Sequence, residues 1–446
     1  MLPLLGMLIV TPPPHLSLRH PSRRASMKTS ILLDHEPVAD GGFLVRALLS
    51  IEGEEVEDDR RTPLNLSLVL DRSGSMHGEK LAAARDAAVN LVKRLSLSDV
   101  VSVVAYDDEV EVVAAPDTGR AQSDLTQKIQ AIGSRGMTNL SGGWLRGRDL
   151  VAQGAKEGAV NRVILLTDGH ANVGITEPGK LVGLTQTAAG TGISTTTVGF
   201  GADFDEDLLK AMADAGQGAT YYIEEADQAV GIFEEELEGL LSLVAQNVRV
   251  TINPGADADF VQVVHQYPNH TEGEALTLEV GDLYGREPRR IIMEFLLGPE
   301  AGIGTDADVA TLSVVANVLT ADGGVELHNI SLPITLSPEE GGKAEPEVQR
   351  EALLVEVARA RQQALDARDA GDWERGHQIL TQASAKAQAM GFDDLVVQEE
   401  MADLAMSAES FEDRSLSLRD IKYMKQRMYS ADRSKRREIE LYRRGE

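Results

Sequence analysis

The chain of 446 residues contains no cysteine. That excludes a disulfide framework, a thiol nucleophile and a thiolate metal site, so any metal must be held by oxygen or histidine. Aromatic residues make up only 4%, two of them tryptophans. No apolar run approaches the length needed to span a bilayer. "LPLLGMLIV" near the start is too short, and it lacks the basic flank of a signal peptide. Positive charge is also scarce: 43 Lys/Arg against 71 Asp/Glu give a net charge of −28. Such a body is not expected to bind nucleic acid or an anionic membrane. Cytoplasmic placement is the expectation, with a secreted or cell-surface site as the alternative.

What is present is ordinary for a soluble globular protein, with 42% hydrophobic and 26% charged residues. The length allows two or three domains. Residues 1–26, ending in "TPPPHLSLRHPSRRAS", read as a disordered leader or an upstream misread of the start, and Met27 opens the first regular pattern. "KTSILL" and "GFLVRALLSIEGE", within residues 27–62, alternate as strands do.

From about 63 to 245 the pattern becomes strand, helix, strand, helix. "LNLSLVLD" and "NRVILLTD" are nearly continuous apolar runs, as strands buried on both faces require. "GEKLAAARDAAVNLVKRL" has helical spacing and good helix formers. "ADQAVGIFEEELEGLLSLV" reads as a long closing helix. This alternation predicts a doubly wound, mainly parallel, Rossmann-like α/β sheet.

Residues 246–337 change to strands separated by turn residues, a β-sandwich pattern that residues 27–62 would complete. The α/β unit would then be inserted between strands of one sandwich. Residues 338–346 form a Gly/Pro/Glu linker, and 347–446 are helical, beginning with two antiparallel helices joined at Gly371-Asp372. The last 28 residues hold ten Lys/Arg against five Asp/Glu, and this basic end is expected to dock on the acidic body.

Ligands of open α/β sheets sit beyond the carboxyl ends of the strands. After the first buried strand comes "DRSGSM", with Asp71, Ser73 and Ser75 at alternate positions. After the second comes "TDGHAN", with Asp168; between them "SRGMTNLSGG" carries Thr138. Two carboxylates and three hydroxyls are hard oxygen donors that suit Mg²⁺, with Mn²⁺ or Ca²⁺ as alternatives, and do not suit zinc. Taken singly, Asp71 could be a helix N-cap and the serines a polar turn. That simpler reading leaves Thr138 and Asp168 unexplained.

These five positions, in this order, resemble the metal-ion-dependent adhesion site of von Willebrand factor type A domains. The resemblance covers about residues 64–243. It implies that Ser73 and Ser75 touch the metal directly, Thr138 directly or through water, and that Asp71 and Asp168 supply charge. It also implies a protein partner whose Asp or Glu completes the metal shell. The whole chain further resembles bacterial proteins in which such a domain sits beside a β-sandwich and precedes helices.

Phosphatases with an aspartate nucleophile after the first strand need a second acid two residues later, and here that position is Ser73. No Gly-x-Ser-x-Gly elbow or phosphate-binding GxxxxGK[ST] loop occurs. No enzymatic role is therefore expected. A metal-dependent protein-binding module on a scaffold is the leading expectation, and an assembly subunit of a chelatase-like AAA+ ATPase complex is the alternative. His77 and His170 are read as exposed loop histidines, and Arg72 and Met76 as facing solvent or the partner. Trp144 and Trp373 are read as packing residues.

Overall fold

The structure, a computed structural model, describes residues 27–432 apart from residues 40, 55–61, 119–121, 157, 202, 286, 302–305, 321–323, 338–341 and 393. The expected leader at 1–26, part of the linker and the basic residues after 432 lie outside the described residues.

Strands β1 (Met27–Pro37) and β2 (Phe43–Gly53) pair antiparallel at the start. Six strands then form the central sheet: β3 (Leu64–Asp71), β4 (Val100–Tyr106), β5 (Val110–Thr118), β6 (Val160–Thr167), β7 (Ile193–Phe200) and β8 (Gln217–Ile223). Their order is β5-β4-β3-β6-β7-β8. Only β5 runs antiparallel; the other pairings are parallel. Every residue of β3 is buried, as its unbroken apolar run predicts.

Helices α1 (Glu79–Arg94), α2 (Gln122–Gln130) and α6 (Ala229–Leu241) cover one face, and α3 (Leu140–Gly154), α4 (Pro178–Gly190) and α5 (Glu206–Ala215) the other. Trp144 on α3 is wholly buried and donates from its indole N–H to Thr195 Oγ1 at 3.1 Å, so it packs as expected. The chain leaves β3 for β4 on one side and returns to β6 on the other. The strand order therefore reverses at β3, which opens a crevice at the carboxyl ends of β3 and β6.

The closing helix is shorter than its sequence suggests. It stops at Leu241, where the Ser242 N–H bonds back to Glu238 O, and β9 (Leu243–Pro254) takes over at once. Leu243 and Val244 are apolar in either register; their burial against the sheets decides for strand.

After β9 come β10 (Ala258–Val263), β11 (Asn269–Glu272), β12 (Ala275–Tyr284), β13 (Arg289–Leu297), β14 (Ala307–Leu319) and β15 (Val325–Leu336). They build two antiparallel sheets, β1-β2-β13-β10 and β11-β12-β9-β14-β15. Buried residues of both, including Val45 and Ile51 on β2, Phe295 on β13, Val250 on β9 and Leu312 on β14, form one apolar cluster. Strand β11 was not legible in the sequence, because all four of its residues are exposed and show no alternation.

Four helices close the chain: α7 (Pro346–Asp369), α8 (Trp373–Met390), α9 (Leu395–Glu412) and α10 (Leu418–Asp432). The α7–α8 turn falls at Gly371-Asp372 as expected, with the Asp372 carboxylate accepting from the Arg375 N–H to cap α8. Trp373 packs on Phe411 with ring centroids 5.7 Å apart.

Part of the basic end docks on the acidic body. Lys422 and Lys425 of α10 reach Glu206 at 3.0 and 2.9 Å, and Arg419 pairs with Glu224. Burial would raise the Glu206 pKa, but Lys425, its own backbone N–H and Lys422 outweigh it and hold the carboxyl at about 2.

The central sheet is tied to the antiparallel sheets by a buried charge network. Arg162 on β6 is fully buried and pairs with Asp282 on β12; its other Nη donates to Thr196 Oγ1 at 2.9 Å and lies 3.6 Å from Glu236. Burial alone would lower the Arg162 pKa; Asp282 in particular keeps it above the usual value. Asp282→Ala leaves this guanidinium in the core with only Glu236 and Thr196 beside it. It is expected to cost about 3–5 kcal/mol, read as an earlier urea midpoint, because removing one partner of a buried charge pair is strongly destabilising.

Candidate metal site

The site is built at the carboxyl ends of β3 and β6. Asp71 ends β3 wholly buried. Its Oδ1 accepts from the Ser73 N–H at 2.8 Å and its Oδ2 from Thr167 Oγ1 at 2.7 Å. It is not the helix cap that its position allowed: α1 begins eight residues later, after Gly78, which has a φ of 87°. Asp71 instead closes a tight Asx turn, and a short 3₁₀ turn, Gly74–Met76, leads on towards α1.

That turn sets the serines side by side. Ser73 Oγ lies 3.1 Å from Ser75 Oγ, and Ser75 Oγ donates to Asp168 Oδ1 at 2.7 Å. Asp168 is wholly buried just after β6, and its second oxygen accepts from Lys80 Nζ at 2.6 Å. A continuous chain of oxygens thus runs from Ser73 through Ser75 to Asp168.

Thr138 enters from the loop before α3. Its N–H donates to Asn172 Oδ1 at 2.8 Å, and its carbonyl accepts from the N–H groups of Asn172 and Val173. Asn139 caps α3 through Gly142 N–H, and its own N–H donates to Asp107 O. The loop is therefore pinned to the ends of both β4 and β6. A Cβ built on Gly169 would lie 3.8 Å from both Ser75 Oγ and Thr138 Oγ1, so glycine there leaves a cradle open between the two hydroxyls. Ser73, Ser75, Thr138 and Asp168 come together at this crevice, and Asp71 joins it through the Ser73 N–H that its carboxylate holds.

Arg72 and Met76 depart from expectation. Neither faces solvent: Met76 belongs to the core, and Arg72 is buried with its Nε on Asp107 Oδ2 at 2.8 Å. The core beneath the turn takes up Met76, and the buried Asp107 carboxylate draws Arg72 inward. Arg135 reaches the same Asp107 oxygen at 2.6 Å, and its N–H donates to Arg72 O, clamping the serine turn from below. His77 and His170 are exposed, as expected, with His77 3.1 Å from Ser134 Oγ and His170 4.0 Å from Asp205.

Five supporting residues escaped the sequence reading: Lys80, Asp107, Arg135, Thr167 and Asn172. Lys80 lies five residues after Ser75, and Thr167 directly precedes Asp168; only the three-dimensional course of α1 and β6 reveals their targets.

Among the described residues no three His, Cys, Asp or Glu side chains are grouped so as to hold a metal ion by themselves. A cation in this crevice would rely on hydroxyls for most of its protein donors. The donor set fits that demand: three hydroxyls and two carboxylates around an open cradle suit a hard dication.

Burial pushes the Asp71 carboxyl up to about 6; hydrogen bonds from Thr167 and Ser73 oppose the shift, and the Asp168 charge adds to it.

Comparison with known proteins identifies the domain. Residues 65–235 match the von Willebrand factor type A domain model, and this segment is a domain of that class. Such domains commonly bind a divalent metal and mediate protein–protein interaction. Among relatives, the Synechocystis uncharacterized protein sll0103 is 27% identical over 354 residues, covering 76% of this chain and 81% of that protein. Inter-alpha-trypsin inhibitor heavy chain H3 of Bos taurus is 30% identical over 220 residues, covering 46% of this chain but only 24% of its own length. Two solved structures share the fold. A von Willebrand factor type A protein from Catenulispora acidiphila has a TM-score of 0.67 at 19% identity, over 86% of this chain and 90% of that one. The ArnB paralog VWA2 from Sulfolobus acidocaldarius scores 0.56 at 15% identity, over 92% of this chain and 98% of that one.

The raised Asp71 pKa fixes a pH dependence. The folded state holds the proton more tightly than the unfolded chain, so this group's penalty is absent below about pH 4. The penalty then grows as pH rises through the interval up to about 6. In EDTA, Asp71→Asn is expected to be more stable than wild type by roughly 1–3 kcal/mol at pH 7.5. That advantage should vanish near pH 4, as followed by thermal unfolding across pH.

Proposed function

We propose that this chain is a divalent-metal-dependent protein-binding module, in which Asp71, Ser73, Ser75, Thr138 and Asp168 hold Mg²⁺ and a partner's Asp or Glu completes the shell. The reading is supported by the gathering of Ser73, Ser75, Thr138 and Asp168 beside Gly169, with Asp71 holding the serine turn. Ser73, Ser75 and Thr138 would hold the ion through their hydroxyls; Asp71 and Asp168 would supply charge directly or through water. The metal, when bound, supplies a strong local positive charge for an incoming carboxylate.

The chain's own residues do the rest. Asp107 and the two arginines fix the serine turn, Asn172 fixes the Thr138 loop, and Thr167 keeps Asp71 oriented. Binding rather than catalysis is supported by Ser73, a hydroxyl where a phosphatase would need its general acid, and by the generally non-enzymatic character of these domains.

We also read the α/β domain as an insertion in a β-sandwich. In support, β2 precedes the domain and pairs with β13, which follows it, and the two antiparallel sheets share one apolar cluster.

Titration calorimetry is expected to give one Mg²⁺ or Mn²⁺ site. Ser73→Ala and Thr138→Ala should each weaken it by about tenfold or more, about 1.4 kcal/mol. A pull-down from native lysate should lose the same proteins on adding EDTA and on Asp71→Ala. Partners that survive both treatments would overturn the proposal.

A further inference from the structure

We propose that Lys80 is the resident counter-charge of this site, and that it sets the site's preference for an anionic ligand. The inference rests on the metal reading above and concerns a residue outside the five donors. Lys80 lies in the first turn of α1 and reaches across the crevice to Asp168 Oδ2 at 2.6 Å. Asp168 is wholly buried, whereas the Lys80 side chain keeps 29% of its surface exposed. Its ammonium therefore lies at the wet side of a dry carboxylate.

A second feature shows that this position is built. Gly201, just after β7, has a φ of 73°, and a Cβ there would come within 3.3 Å of Lys80 Nζ and 3.4 Å of Cε. The lysine head occupies a slot between Asp168 and a residue that has no side chain.

The consequence follows from charge. Arg72 and Arg135 are engaged by Asp107, Glu109 and Glu111, away from the cradle. The crevice itself then holds two carboxylates and one ammonium, a single net negative charge. Without the lysine, a dication would neutralise the two carboxylates and leave the loaded site with no net charge, so an arriving carboxylate would be drawn by the metal's local charge alone. With it, the metal enters against a nearby positive charge, and the loaded site keeps one positive charge to be met from outside. Lys80 thus weakens metal binding by itself and strengthens the binding of an anion to the metal-loaded site. In the metal-free protein the same ammonium offsets part of the cost of burying Asp168.

The test uses the full chain with Mn²⁺ as the probe metal and acetate as the probe carboxylate. Mn²⁺ affinity is read by electron paramagnetic resonance, and acetate binding by the fall in water-proton relaxation of the Mn²⁺ complex. Lys80→Met and Lys80→Gln are expected to bind Mn²⁺ at least about tenfold tighter than wild type. They should also bind acetate at least severalfold more weakly, and added Mn²⁺ should raise their Tm by more than it raises that of wild type. Both variants are checked for folding by circular dichroism; if one fails to fold, the other decides. If the lysine is only a structural ion pair, Tm falls while both binding constants stay at the wild-type value, and the proposal is overturned. A wild-type protein that binds no Mn²⁺ overturns the metal reading itself, which the variants alone would not.

Discussion

Two aspartates stand entirely out of water at neighbouring strand ends, and the organisation of the site follows from keeping them there. A buried carboxylate is tolerated only when hydrogen bonds or opposite charge replace its hydration. Asp71 takes its bonds from Ser73 N–H and the Thr167 hydroxyl; Asp168 takes its own from the Ser75 hydroxyl and Lys80. Thr167 directly precedes Asp168 and Ser75 lies on the turn after Asp71, so each aspartate takes one donor from the other's segment. The serine turn, the end of β6 and the start of α1 are therefore locked together by the requirement to satisfy two charges.

Around this centre a second tier of buried charge holds the loops. Asp107 accepts from both Arg72 and Arg135, so the turn carrying Ser73 and Ser75 is gripped from the side opposite the crevice. Asn172 grips the Thr138 loop on both its N–H and its carbonyl. Such support keeps hydroxyl donors near their working positions before any ligand arrives. The site remains costly, since burial penalises the ionised form of Asp71 and raises its pKa to about 6.

The rest of the chain bears on the α/β domain from two sides. Arg162, Asp282 and Glu236 fasten the central sheet to β12, far from the crevice. On another side α10 grips the segment between β7 and α5, with Lys422 donating to Phe204 O and to Glu206 while lying 3.6 Å over the Phe204 ring. That segment begins at Gly201, next to Lys80, so the last described helix bears on the rim of the site.

Much of this was legible in the sequence. Unbroken apolar runs marked β3 and β6 as central strands, because a strand covered on both faces has no polar side to show. Residues following such strands fall at the ligand edge of any open α/β sheet, so Asp71, Ser73, Ser75 and Asp168 could be placed at that edge without coordinates, whereas Thr138, in the loop before α3, was named by resemblance. The helical hairpin at Gly371-Asp372 was legible for the same local reason, a glycine and a cap between two helical periods. Other features were decided only by tertiary structure. Leu243 and Val244 suit helix or strand equally, and neighbouring strands chose. Strand β11 has no apolar face and exists by pairing with β12. Arg72 and Met76 looked exposed because local sequence records no inside or outside for a turn; the burial of Asp107 and the core beneath fixed their direction. Lys80 has the spacing of an ordinary helix-start residue, and its bond to Asp168 spans 88 positions of chain. Periodicity and turn chemistry are local and so can be read from order alone. The pairing of charges across a crevice depends on which strand ends the fold brings together.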